Sequence, residues 1–478
     1  LFSVLLLTFI LGVSSAYLVT FYSFPGVNFF KLALILSFAI PPYIYGYALS
    51  AFFENFGTAY IILNSFFGDY NYNNLIPKFN GILGAILSLS FSLFGYVYIF
   101  VRSSFVFQSK KLIEVGESLG FNKKKIFFNV ILPSSRPAII AGMSLVAMEV
   151  ISDFGTVSFF GVSTFTTGIY NAWISFDDLS SANRLSFTLL GFVLLFFLIE
   201  KKSRKNAKYH NVSREGQFDR LKVRKLSGVN ATLAFLFCST LLFVSFIFPF
   251  SQMVFWTYKF PQYIYSLDIL RINLNTLSLV SITSIIIIFF GFFINYSNRI
   301  LKRKFLEFLT FFSISGYAIP GVILSVSLIS FSSFIKDKTN IDIVFIGSIY
   351  GLIIAYFIRF FSISYNGIKS SYLKINKSID ESAYLIGFSK FNTLTSIHLT
   401  FLKKPIFLIG ILISIEVLKE LPITLILRPF NFDTFSTIAF SYADQDLIEA
   451  AAFPSLCLIL WTTLLIMLSS KFLLSEKF

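Results

Sequence analysis

Apolar residues in this chain fall into long runs, separated by shorter polar stretches. A helix needs roughly 20 apolar residues to cross a hydrocarbon core of ~30 Å. Eleven runs reach or approach that length: 1–21, 31–53, 81–101, 137–157, 185–199, 231–255, 273–295, 306–333, 343–365, 404–427 and 453–475. All are read as helices, because an open sheet edge in lipid would leave backbone N–H and C=O groups unpaired. The expected fold class is an all-α polytopic membrane protein.

The polar stretches alternate in charge. Those at 102–136, 200–230, 296–305 and 366–403 are rich in Lys and Arg. Those at 54–80, 158–184, 256–272, 334–342 and 428–452 are poor in both, and several carry acids. The positive-inside rule puts the basic set in the cytoplasm, Leu1 outside and Phe478 inside. The expected location is a bacterial inner membrane.

The chain also repeats itself. Glu114 and Glu381 are 267 residues apart, as are Gly120 and Gly387, Glu149 and Glu416, and Asp153 and Glu420. Upstream the offset is 279, carrying Gly12 onto Gly291 and Ala39-Ile40-Pro41 onto Ala318-Ile319-Pro320. Two related halves in parallel orientation are expected, 1–200 and 231–478, joined by a basic cytoplasmic linker at 201–230. The chain starts at Leu1, without Met and already inside an apolar run. A span upstream of Leu1 would bring the expected total to twelve.

Composition narrows the function classes. Of 478 residues, 56% are hydrophobic and only 13% charged, too few charges to cover a water-soluble body of this size. The net charge of +15 does not indicate nucleic acid, since Lys and Arg sit in short loops as membrane topology requires. Cys238 and Cys457 lie in apolar runs and read as packing residues; His210 and His398 are isolated and read as solvated loop residues. No zinc or heme site and no cofactor is expected. Asp153-Phe154-Gly155 spells a kinase triplet by coincidence, without a Gly-rich loop or HRD sequence. The chain has no GxxxxGK[ST] phosphate loop, so any ATP hydrolysis belongs to another subunit. Tyr70-Asn-Tyr72-Asn reads as an outside interfacial aromatic loop.

One basic loop, KKLIEVGESLGFNKKK at 110–125, interrupts the oily pattern with acids and glycines. It runs Glu114, Gly116, Gly120, nine residues, then Val130-Ile131-Leu132-Pro133. Its partner runs Glu381, Ala383, Gly387, nine residues, then Ile397-His398-Leu399-Thr400. Both resemble the EAA loop of ABC-importer permeases, E-A-A-x3-G-x9-I-x-L-P. Val115, Gly116 and Val130 depart from it in the first copy, Ser382 and Thr400 in the second. Thr400 stands where the pattern has proline, so a less rigid exit is expected there. The resemblance implies that Glu114, Gly116, Gly120, Leu132, Pro133, Glu381, Ala383, Gly387 and Leu399 dock ABC ATPase subunits, expected as a dimer. An amphipathic helix bearing an acid suits a groove on such a partner.

Nearly the whole chain resembles the fused two-half permeases of ferric-iron importers. The motifs include Glu149 through Phe160-Gly161, Thr166-Thr167-Gly168, Glu416 through Pro422, and Arg428-Pro429-Phe430. That resemblance implies import of ferric iron from a periplasmic substrate-binding protein. Related permeases for thiamine or phosphonate, and an ion-coupled secondary transporter, remain alternatives; a membrane enzyme lacks a catalytic cluster. Glu149 and Asp153 are one helical turn apart, as are Glu416 and Glu420. Such acids are expected to face a wet pathway, where oxygen ligands suit a hard cation. The structural alternative is that Asp153 caps a helix and Lys419 neutralises Glu420.

Overall fold

In the computed structural model the described residues are 1–68, 71–106, 114, 116–205, 223–301, 315–373 and 375–474. Their regular structure is almost entirely helical. Among the described residues, seven helices are long and apolar enough to cross a membrane: Phe2–Phe21, Gly81–Val106, Leu179–Phe196, Gly228–Lys259, Ile269–Ile300, Ile349–Tyr372 and Ile448–Ser470. Two bent pairs, Val27–Ala39 with Pro42–Phe67 and Lys124–Ser134 with Arg136–Ser152, raise the number to nine.

Two expected spans are not among these nine. Of the run 306–333, residues 306–314 lie outside the described residues; the remainder is a 3-10 turn, Ser315–Ala318, leading into helix Gly321–Thr339. The run 404–427 contains most of helix Leu399–Lys419, which has the length but carries Lys403, Lys404, Glu416 and Lys419. The expected continuous span 31–53 is broken instead. Helix Val27–Ala33 passes into a 3-10 turn, Leu34–Ala39, and the following helix leaves at 90°. Pro41 accounts for the break: its ring fixes φ at −58° and forces the preceding Ile40 into extended backbone. Pro320 enters helix Gly321–Thr339 with nearly the same angles, φ −53° and ψ 140°.

The chain packs as two compact units, 1–164 with 191–260, and 165–190 with 261–478. In the first, helix Phe2–Phe21 lies on helix Gly81–Val106, which also packs on Arg136–Ser152. Gly12 permits the close approach, because a Cβ there would stand 2.7 Å from Val97 Cβ. Val4, Val13, Tyr98, Phe105 and Cys238 fill the core around this crossing. The end of the basic linker is pinned in the same unit. Arg224–Lys225 pairs in parallel with Tyr22–Ser23, and the Arg224 guanidinium donates to the Glu117 carboxylate. Linker residues 206–222 lie outside the described residues.

In the second unit, helix Ile269–Leu301 lies on Ile349–Tyr372, which packs on Leu399–Lys419. Gly291 permits this crossing, since a Cβ there would stand 2.8 Å from Ser364 Cβ. Gly291 is Gly12 displaced by 279, and Ser364 is Val97 displaced by 267. Both sequence offsets thus recur as one packing contact, glycine against the middle of the neighbouring helix. Tyr72 is buried, its hydroxyl donating to the Gly68 carbonyl at 3.1 Å; Tyr70 lies outside the described residues.

Candidate functional site

The two glycine-centred loops share one backbone design. Helix Lys377–Leu385 is closed by Gly387 at φ +90°, with the Phe388 N–H donating to the Ala383 carbonyl at 3.0 Å. Helical residues 116–118 are closed by Gly120 at φ +73°, with the Phe121 N–H donating to the Gly116 carbonyl at 3.0 Å. This five-residue reach marks a helix ended by a left-handed residue. Such a conformation costs a side-chain-bearing residue about 1–2 kcal/mol, which is why glycine stands at both places.

A second short helix follows each closure. The Asn122 carboxamide accepts from the Lys125 N–H at 2.8 Å, and the Ser389 hydroxyl from the Asn392 N–H at 3.1 Å. These are N-caps satisfying otherwise orphan donors, and they too are 267 residues apart. Each helix then widens into a π turn, Phe127–Ile131 and Thr393–His398. Both caps fall within the unspecified nine residues of the motif, where pattern reading had no signal for them.

Glu114 and Glu381 are exposed, whereas Gly116 and Ala383 are buried. A methyl on Gly116 would make ordinary contact with Ile126, at 3.4 Å, so glycine keeps a small inward face where the E-A-A pattern has alanine. Leu119 and Ile386, again 267 apart, present large exposed apolar side chains at the loop tips. The exits differ. Just beyond Pro133, at Ser135, the chain turns by 67° between Lys124–Ser134 and Arg136–Ser152. At Thr400 the helix Leu399–Lys419 runs on, and the hydroxyl donates to the Ser396 carbonyl at 2.8 Å. Leu132 is half-buried and Leu399 exposed.

His398 is not solvated. It is 1% exposed, its Nε2 lies 3.1 Å from Asp380 Oδ1, and Tyr296 and Tyr372 flank its ring. Burial pulls its pKa below the ordinary 6.5, and the neighbouring Asp380 carboxylate opposes that shift. The sequence reading failed because it treated the loop as uniformly wet, while the π turn has one inward face. His210 lies outside the described residues.

The four acids have unequal surroundings. Asp153 and Glu420 each end a long helix in extended backbone, with ψ 133° and 122°. The Asp153 carboxylate accepts from the N–H groups of Thr156 and Val157, both at 3.1 Å, and from the Thr156 hydroxyl at 2.9 Å. It therefore caps helix Gly155–Phe159. Glu420 is buried 3.5 Å from Arg359 Nε, itself buried. Lys419 lies 3.5 Å from Glu416, not beside Glu420 as the sequence alternative had it. The helix stops at Lys419, so Lys419 and Glu416 share its last turn while Glu420 departs from it. Glu149 is half-buried on helix Arg136–Ser152. Arg359 escaped the sequence reading, although a lone cation in an apolar run signals a buried partner.

Residues 8–200 match the model of the family described as binding-protein-dependent transport system inner membrane component. Over its length the chain is 24% identical to the Fe(3+)-transport system permease protein FbpB 2 of Haemophilus influenzae, covering 97% of this chain and 86% of that protein. It is 25% identical to the ferric transport system permease protein FbpB of Actinobacillus pleuropneumoniae, over 78% of this chain and 55% of that protein. It is also 27% identical to the sulfate transport system permease protein CysT of Escherichia coli, over 31% of this chain and 51% of that protein. The chain thus spans only about half the length of the latter two relatives.

Proposed function

We propose that this permease carries ferric iron across a bacterial inner membrane, received from a periplasmic binding protein and driven by ATPase subunits docked on the two glycine-centred loops. The observation that carries the docking is the duplicated loop: helix, left-handed glycine, N-cap, π turn, with an exposed acid and an exposed apolar tip at matching positions. Two matching handles suit a pair of ATPase subunits, whose closure and reopening would rock the two halves between outward and inward access. Iron is supported by the relative that covers nearly the whole chain.

Within this reading Glu149 and Glu416 line the pathway, while Asp153 and Glu420 shape it by ending their helices. The decisive test is uptake of radioactive ferric iron by cells lacking this chain, restored by the wild type and reduced by the double variant Glu149→Gln, Glu416→Gln. Normal uptake at normal expression of that variant would sink the pathway assignment. Iron uptake unchanged by deletion of the chain would sink the substrate. The sulfate relatives favour an oxyanion as second reading, so radioactive sulfate belongs in the same assay. Transport in vesicles without ATP would instead favour an ion-coupled secondary transporter.

A further inference from the structure

The second loop has an anchor on its inner side with no counterpart among the described residues of the first. Arg299, near the end of helix Ile269–Leu301, donates through Nε to Asp380 Oδ2 at 2.6 Å. Its Nη1 donates to the carbonyls of Tyr372 and Ile375, at 3.3 and 3.1 Å, and its Nη2 to that of Asn376 at 3.1 Å. Tyr372 ends helix Ile349–Tyr372, where carbonyls have no partner within the helix. Asp380 lies in helix Lys377–Leu385, and its other oxygen meets His398 Nε2 at the entry to helix Leu399–Lys419. One planar, five-donor guanidinium therefore gathers the loop helix and the ends of three long helices. Asp380 points inward, while its neighbour Glu381 is exposed, so anchoring and docking use different faces.

Among its described residues the first half shows no counterpart. At the matching offsets, Thr20 stands for Arg299, Phe105 for Tyr372 and Ile131 for His398. All three are buried, and the last two belong to the apolar core of the first unit.

We propose that Arg299 is the positioning residue that makes the second loop and the long helices behind it move as one body, so that work done on the loop reaches the membrane helices. The inference rests on reading that loop as the ATPase dock. Its test uses the permease alone and then the assembled transporter. In the purified permease, hydrogen exchange at residues 386–388 should be about tenfold faster or more in Arg299→Gln and Asp380→Asn, because each removes charged hydrogen bonds. Exchange at 120–121 should not change. Arg299→Lys should resemble Arg299→Gln, since one ammonium cannot span four acceptors.

In vesicles containing the ATPase subunit, both variants should still bind it, while uptake per ATP hydrolysed falls about tenfold or more. The substrate used is ferric iron or sulfate, as the uptake assay decides. Unchanged exchange, unchanged uptake per ATP, or full rescue by lysine would overturn the proposal. Should Arg299→Gln fail to fold, Asp380→Asn decides, because it keeps the side-chain shape. Failure of the wild type to bind any ATPase subunit would overturn the docking reading, and the exchange measurement still separates that outcome from failure of the anchor.

Discussion

Alanine at Gly387 separates backbone strain from crowding in the loop closure. No atom lies within 4 Å of the place a Cβ would take at Gly387, nor at Gly120. The whole penalty is therefore conformational, set by φ +90° and +73°. For an alanine it amounts to about 1–2 kcal/mol, and its stiffer unfolded chain does not offset an incompatible native conformation. At 1.4 kcal/mol per factor of ten, the closed form should lose roughly 5- to 30-fold in population relative to the open one. The bonds released are Phe388 N–H to Ala383 and Gly387 N–H to Tyr384, both 3.0 Å. Hydrogen exchange of the Phe388 amide in Gly387→Ala should accelerate by that factor, and that of Phe121 likewise in Gly120→Ala. Gly387→Asn should fall between wild type and alanine, because asparagine visits left-handed backbone more readily. Gly387→Phe should be no worse than alanine, because the space is open. An unchanged exchange rate in Gly387→Ala, or a phenylalanine variant far worse than alanine, would refute the reasoning.

Three further outcomes are expected. Gly291→Ala should lower stability by about 1–3 kcal/mol through overpacking against Ser364, and adding Ser364→Gly should recover much of it in thermal unfolding of the detergent-solubilised protein. Removing Arg359 as Arg359→Met leaves Glu420 buried and uncompensated, costing about 3–5 kcal/mol, whereas the double variant with Glu420→Met should return close to wild type; a double-mutant cycle on Tm checks this. His398 faces Asp380, Arg299, Tyr296 and Tyr372, and its native pKa is lowered from 6.5 mainly by burial. The unfolded chain then binds its proton first, so the contribution is full above pH 6.5 and is lost as pH falls from there toward the lowered native value. The Tm of wild type should drop through that window more steeply than that of His398→Gln.

Features with a local cause were legible in the sequence. The glycines at the loop closures announce left-handed backbone, and the 279 offset ties Gly12 to Gly291, though only the structure shows the neighbours, Val97 and Ser364, that they meet. Proline at 133 and threonine at 400 marked two different exits; the chain bends by 67° at Ser135, just beyond Pro133, while the helix continues through Thr400. Pro41 was visible too, but apolar content alone hid the break it makes in the span 31–53. Features that join distant segments were not legible. Arg299 and Asp380 are 81 residues apart, and neither position repeats in the first half. His398 and Lys419 were misjudged because their partners depend on which way a turn faces and where a helix stops.

The clasp between Arg224 and Glu117 has a consequence for the order of synthesis. Its partners are 107 residues apart, with the acid made first. At about 5–20 residues per second, roughly 5–20 s separate Glu117 from Arg224 on the ribosome. During that interval the first loop has its glycine closure and the apolar side chains of Ile126 and Ile131. The second loop meets the opposite schedule, because Arg299 is made 81 residues before Asp380. One loop is finished by a residue still to come, and the other emerges onto an anchor already made.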